Sequence, residues 1–265
     1  MAYRELLPHP ALRPFVDRFW ILTAAAGSEP RRILPDGCID VIVDVEPDSD
    51  GFGQAVVVGT MTRAMLFHPR TRVCSAAVRF RPGGAAPFLR LLADELTDRV
   101  LDAGDAGARW LAAGAEDAPA DPLGAVALLE RRLLARLHGI AEPDRAVAHA
   151  VGRLFGAAPP PIAELGREIG WSRQYLARRF RAEIGVGPKQ LARVARLQRA
   201  VDHLQRSTGG DLTLAGAAVD FGYFDQAHMA RDFRELAGVA PRDVRATRGS
   251  IFPIRSLFAA PGSGP

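Results

Sequence analysis

The chain has 265 residues, 48% hydrophobic and 24% charged, with a net charge of +4. This balance excludes wholesale disorder, and at about 100–200 residues per domain it predicts two domains. With no apolar run of about 20 residues and no basic-then-apolar start in MAYRELLPHP, neither a membrane span nor a secretory signal is expected, and a cytoplasmic location is.

Ala11–Leu22 carries Leu12, Phe15, Val16 and Phe19 at helical spacing and is expected as an amphipathic helix. The turn Leu34-Pro35-Asp36-Gly37 introduces a strand in which Ile39, Val41, Val43 and Val45 alternate with Asp40, Ile42, Asp44 and Glu46. Two more apolar runs follow, Ala55–Val58 ending at Gly59 and Val73–Phe80 ending at Arg81-Pro82-Gly83-Gly84. Breakers at such intervals predict a small antiparallel sheet or barrel. Ala85–Ala93 and Leu123–Leu137 are expected to be helical, the second through Val126, Leu129 and Leu133, with a flexible stretch within Gly104–Pro122. Asp144–Phe155 reads as a short helix ended by Gly156 and the prolines at 159–161, and 251–265 as a frayed tail. The expected fold class is α+β. A β-rich, barrel-like domain with flanking helices occupies 1–110, a helical connector 111–142, and an all-α domain 143–250.

The charge is uneven. Residues 143–250 hold 17 basic and 11 acidic residues, a balance of +6, and the remainder carries −2. Lys189 is the only lysine, so the basic surface is arginine, whose planar fork suits phosphate and the guanine edge. An acidic partner is expected of the C-terminal half.

That half contains a repeat. Ile162–Pro188 runs through Gly166, Gly170, Trp171, Ser172, Phe180, Gly185 and Pro188; Leu214–Pro241 matches it at Ala218, Gly222, Tyr223, Asp225, Phe233, Gly238 and Pro241. The offset is 52 residues up to the glycines Gly170 and Gly222 and 53 beyond, so the second turn holds one extra residue. Each copy has the parts of a helix-turn-helix. A small residue allows close helix approach, a glycine favours a left-handed turn, and Ser172 or Asp225 caps the next helix. Leu176 and Phe180, or Met229 and Phe233, go to the core; Gln174, Ala177 and Arg178, or Gln226, Ala227 and Arg231, project. Arg and Gln on a helix suit guanine and adenine edges in the major groove. Between the copies, Leu191, Val194, Leu197, Val201 and Leu204 mark a connecting helix of about 16 residues, about 24 Å long.

The tandem pattern, ending in Gly-Tyr-Phe-Asp-Gln-Ala-His-Met…Phe-Arg…Gly-x-x-Pro, closely resembles the DNA-binding domain of the AraC family of transcriptional regulators over residues 145–247. Gly166 departs from that family's usual Ala, and Met229 from its common Phe or Tyr. Leu12…Phe19-Trp20, Leu34–Asp40, Val58-Gly59 and Val78–Gly83 resemble the strand-rich domain that often precedes this one, over roughly residues 3–110. The resemblance implies a seven-helix double helix-turn-helix that binds promoter DNA, and a first domain that binds an effector, dimerises, or does both. For an activator it also implies contact with RNA polymerase.

The DNA-contacting set expected from this pattern is Ser172, Arg173, Gln174, Ala177, Arg178, Asp225, Gln226, Ala227 and Arg231. Arg179, Gln190 and Arg193 read equally as phosphate contacts or surface charge, and His228 as a DNA contact or a packed side chain. Trp171, Tyr223, Phe180 and Phe233 read as core. No catalytic residue, cofactor or metal is expected: Asp40 and Asp44 alternate with valines as a solvent face would, and Ser75 lacks a Gly-x-Ser-x-Gly turn. Arg79 and Arg81 are minor candidates for holding an anionic effector. Two alternatives stand beside the regulator reading, a cysteine-based chemical sensor using Cys38 or Cys74, and a DNA-binding co-regulator without sequence preference.

Overall fold

The alternation of Ile39–Val45 does form a strand, and it lies in the middle of the N-terminal half. The structure, a computed structural model, describes residues 1–45, 52–89, 91–112, 121–206 and 214–244. Its strands are β1 (Ala2–Leu6), β2 (Val16–Ala24), β3 (Arg31–Ile33), β4 (Ile39–Val45), β5 (Phe52–Val58), β6 (Met65–Phe67), β7 (Val73–Phe80) and β8 (Val100–Asp102). Six make one antiparallel sheet in the order β1-β2-β7-β4-β5-β8, while β3 and β6 pair as a separate ribbon.

In the β4–β7 register Ile39 faces Phe80, Val41 faces Val78 and Val43 faces Ala76. Side chains alternate across a strand, so these six share a face, joined there by Phe19, Ile21 and Val57. Past a short helix α1 (Arg109–Ala112), helix α2 (Pro122–Arg136) covers this face with Ala125, Val126, Leu129 and Leu133. Asp121 caps α2, its Oδ1 accepting from the amides of Leu123 (2.9 Å) and Gly124 (3.0 Å), and Pro122 opens the first turn. The segment expected as a connector thus contributes to the core of the sheet domain.

Two expected helices are not helices. Ala11–Leu22 is a 3-10 turn (Pro10–Leu12) followed by β2. Pro14 interrupts the helical pattern, and β2 is buried on both faces, which hides the two-residue period behind a continuous apolar run. Ala85–Ala93 contains Pro87 and gives turns, with a 3-10 turn only at Ala93–Leu96. The expected tail lies outside the described residues, as do residues 113–120 of the stretch expected to be flexible.

The outer sheet face is also covered. Trp20, Leu22 and Ala77 pack there with Tyr3, Ile42, Phe67 and Val73. Asp40 therefore does not face solvent freely; Arg79 grips it with two bonds of 3.0 Å.

The C-terminal half comprises α3 (Arg145–Phe155), α4 (Ile162–Glu168), α5 (Arg173–Ile184), α6 (Pro188–Arg206), α7 (Leu214–Asp220) and α8 (Gln226–Asp232). Helix α8 runs on through a π-type turn, Phe233–Ala237, and a 3-10 turn follows at Pro241–Asp243. There are two small cores. Val147, Leu154, Leu165, Leu176, Phe180 and Leu191 form the first; Leu197, Val201, Leu204, Tyr223, Met229, Phe233 and Leu236 form the second. Helix α6 serves both with opposite halves of its 19 residues, about 28 Å of rise.

The sheet domain docks on both cores. Leu34, 1% exposed, is part of the second core. The hydroxyl of Thr60 donates to the carbonyl of Ile184 and that of Thr97 to Gly185 (2.7 Å), both at the end of α5. The amide of Ala64 donates to the carbonyl of Leu236 (2.7 Å), just past α8, and Gln198 on α6 donates to Pro35 O.

Candidate nucleic-acid interface

The two helix-turn-helix units repeat bond for bond. Gly170 and Gly222 take φ of +72° and +75°, the left-handed conformation that needs glycine at these turns. In each turn the next amide folds back on the preceding helix, Trp171 N to Gly166 O (2.8 Å) and Tyr223 N to Ala218 O (2.9 Å). Ser172 Oγ then accepts from the amide of Tyr175 (3.2 Å), and Asp225 Oδ1 from that of His228 (2.6 Å). Both caps stand where the repeat predicts them.

From these caps the helices present one polar face each. On α5, Arg173, Gln174 and Arg178 are exposed and Ala177 is half-buried; on α8, Gln226, Ala227 and Arg231 are exposed. Among the described residues no hydrogen bond or ion pair engages Arg173, Gln174, Gln226 or Arg231. The guanidinium of Arg178 lies over the Tyr175 ring at 5.1 Å, and Tyr175 packs edge-on against Trp171 at 4.8 Å. Trp171 and Tyr223 pack against the two cores as expected, and Phe180 and Phe233 are fully buried.

Two of the candidate phosphate contacts are already engaged. Arg179 pairs with Asp144 (2.8 Å), the cap of α3, and with Glu183. Arg193 pairs with Asp232 (2.8 Å) and Glu235 (2.6 Å), and Gln190 accepts from Arg193. Carboxylates thus engage both guanidinium groups, and the two side chains remain partly exposed. Sequence reasoning missed Asp232. It is buried, bridges Arg193 and Arg196, and matches Arg179 at the offset of 53. In each unit a charge at this position ties the recognition helix to the helix before the motif, with opposite polarity in the two copies. A charge recurring at one position of a repeat was the available signal. His228 is half-buried and engaged within its own turn: its Nδ1 accepts from the amide of Phe224 (3.3 Å) and its ring meets Tyr223 edge-on.

The sheet domain offers little chemistry. Burial pushes the Cys38 thiol well up and that of Cys74 up as well, away from the nucleophilic thiolate. The two lie at opposite ends of the β4–β7 pairing, about seven strand residues or 24 Å apart, beyond disulfide reach. The guanidinium of Arg79 is held by Asp40 and Asp36, and Arg81, about a third exposed, donates through Nε to the carbonyl of Arg13. Among the described residues no His, Cys, Asp and Glu cluster to hold a metal, and no helix is long and apolar enough to cross a membrane. Two clefts follow the domain junction. One, about 440 Å³, is lined by Gly83, Pro87, Asp144, Arg179 and Glu183; the other, about 650 Å³, by Thr62, Asp98, Gly187, Gln190 and Glu235.

Sheet and helices together define a two-domain protein whose second domain is a tandem helix-turn-helix. Residues 165–247 match a family of helix-turn-helix domains, and residues 4–102 match a domain of unknown function, DUF6597. A Streptomyces lividans protein that carries the name AraC-like transcription regulator is 31% identical over 109 residues, 41% of this chain and 35% of its own length. Uncharacterized HTH-type transcriptional regulators of Staphylococcus aureus are 29% identical over 90 residues, 34% of this chain and 12% of theirs. The chain thus spans about a third or less of these relatives. Among solved structures, an AraC-type transcriptional regulator of Chromobacterium violaceum aligns with 39% of this chain and 88% of its own at 24% identity and a TM-score of 0.34. ToxT of Vibrio cholerae aligns with 95% and 98% at 8% identity and a TM-score of 0.41. Its C-terminal domain is thus similar to helix-turn-helix domains, including that of the AraC-like Streptomyces lividans protein.

Proposed function

We propose that the chain is a sequence-specific DNA-binding transcriptional regulator, not an enzyme, in which α5 and α8 read two successive major-groove segments. One observation carries this reading. The N-terminal turns of both recognition helices are exposed and unpaired, while the sheet domain grips their C-terminal ends. Gln174 and Arg178, and Gln226 and Arg231, contact base edges; Arg173, Ala177 and the capped helix starts at Ser172 and Asp225 approach the backbone and groove wall. Because the sheet domain is bonded to both units, an effector or a second copy bound to it would bias their arrangement, and the junction clefts are where such a ligand has leverage. Such a role belongs in the cytoplasm, with RNA polymerase as a further partner if the chain activates.

The test is selection of bound sequences from a random duplex library with wild type, Arg178→Ala and Arg231→Ala. Two enriched blocks about one turn apart, one relaxed by each variant, are the expected result. A motif unchanged by both variants would refute the contact residues. Equal weakening on all duplexes would favour a co-regulator without sequence preference.

A further inference from the structure

The second turn differs from the first by one inserted residue, Phe224, between the core residue Tyr223 and the cap Asp225. Trp171 in the first unit is followed directly by Ser172. Phe224 is 89% exposed, the most exposed large hydrophobic side chain among the described residues. It is nonetheless firmly placed. Its amide donates to His228 Nδ1 (3.3 Å), the amide of His228 donates to Asp225 Oδ1 (2.6 Å), and the His228 ring is held edge-on by buried Tyr223. The chain therefore fixes the backbone under an aromatic ring that covers nothing of its own, at the N-terminal mouth of α8 beside Gln226 and Ala227.

We propose that Phe224 is a specificity-determining residue that packs its ring on the C5-methyl group of a thymine at the edge of the segment read by α8. This rests on the DNA-reading function above and refines it. Thymine is the base that presents an apolar group in the major groove, and an aromatic or small apolar side chain is what recognises it. The first unit has no residue at this point of its turn, so the two segments are read by different rules: polar contacts alone by α5, polar contacts plus one methyl contact by α8.

Deoxyuridine tests this directly, since it removes the methyl group and leaves every hydrogen-bonding edge in place. With the full chain and its selected duplex, each thymine of the second segment is replaced in turn, and affinities are measured for wild type, Phe224→Ala and Arg231→Ala. Wild type should lose about fourfold at one thymine, the value of one buried methyl. Phe224→Ala should lose the same factor on the thymine duplex and be indifferent to uracil, with a melting temperature equal to wild type because the ring is exposed. If Phe224→Ala keeps the wild-type discrimination, the assignment is overturned. It is likewise overturned if wild type is indifferent at every position while Arg231→Ala still relaxes the segment; the regulator reading then stands and the ring serves a protein partner. If no duplex is selected, the DNA-reading function fails and this inference with it.

Discussion

Asp232 shows how much one buried carboxylate can organise. It bridges Arg193 and Arg196, and Arg196 in turn donates to the carbonyl of Gly222 (3.0 Å) and lies over the Tyr223 ring at 4.5 Å. The turn of the second unit is thus wired to α6 through this acid. Asp232→Ala leaves two arginines short of their shared partner and should cost about 3 kcal/mol in urea unfolding. Glu235 is different, because its side chain is 63% exposed. Its hydrogen bond to Arg193 holds it below the ordinary carboxylate value of 4.5, so the pair stabilises the fold above that pH and is lost as pH falls through the lowered value. Glu235→Gln should flatten that part of an acid titration of stability, by well under about 1 kcal/mol given solvent screening.

Glycines that share a φ sign do not share a cost of substitution. Gly185 ends α5 at φ +94°, and a Cβ there would lie 2.8 Å from both Ala93 O and Thr97 Oγ1. Gly170 has φ +72° but open space around it. Gly185→Ala should therefore lose about 3 kcal/mol and loosen the domain junction, whereas Gly170→Ala should lose about 1 kcal/mol, both read by chemical denaturation. The helix-turn-helix elements were legible in the sequence because caps, glycines and core residues recur at a fixed offset, and each is a local decision. β2 was not legible: Leu12, Phe15, Val16 and Phe19 fit a helical stripe, and only the sheet, by burying both faces, turns the run from Val16 into a strand. The ion pairs around Asp232 were hidden for the opposite reason. A charged residue on a polar helix reads as solvated until the helix opposite is known.

Across the whole molecule, the sheet domain behaves as part of the helical one. Leu34 belongs in sequence to the first domain and in packing to the second core. Leu34→Ala should cost about 3 kcal/mol, and hydrogen exchange should report the loss at α8 and the end of α6 and not in the sheet. Nothing near Leu34 in sequence signals this, since the turn Leu34-Pro35-Asp36-Gly37 reads only as the approach to β4. Domain docking is a property of two surfaces, and one chain's periodicity describes each surface separately.

The bonds from Thr97 to Gly185 and from Ala64 to Leu236 tie the ends of α5 and α8 to two loops of the sheet domain. Were α5 and α8 to read DNA as proposed, these ties would limit how far either helix could move alone. Adding one base pair between the two DNA segments shifts the second by about 3.4 Å and rotates it by about 34°, and neither helix can follow without breaking a junction bond. For a DNA-reading chain built this way, operator phasing becomes a mechanical tolerance set by the sheet domain, and cutting the Thr97 and Ala64 contacts would trade affinity for a wider choice of spacings.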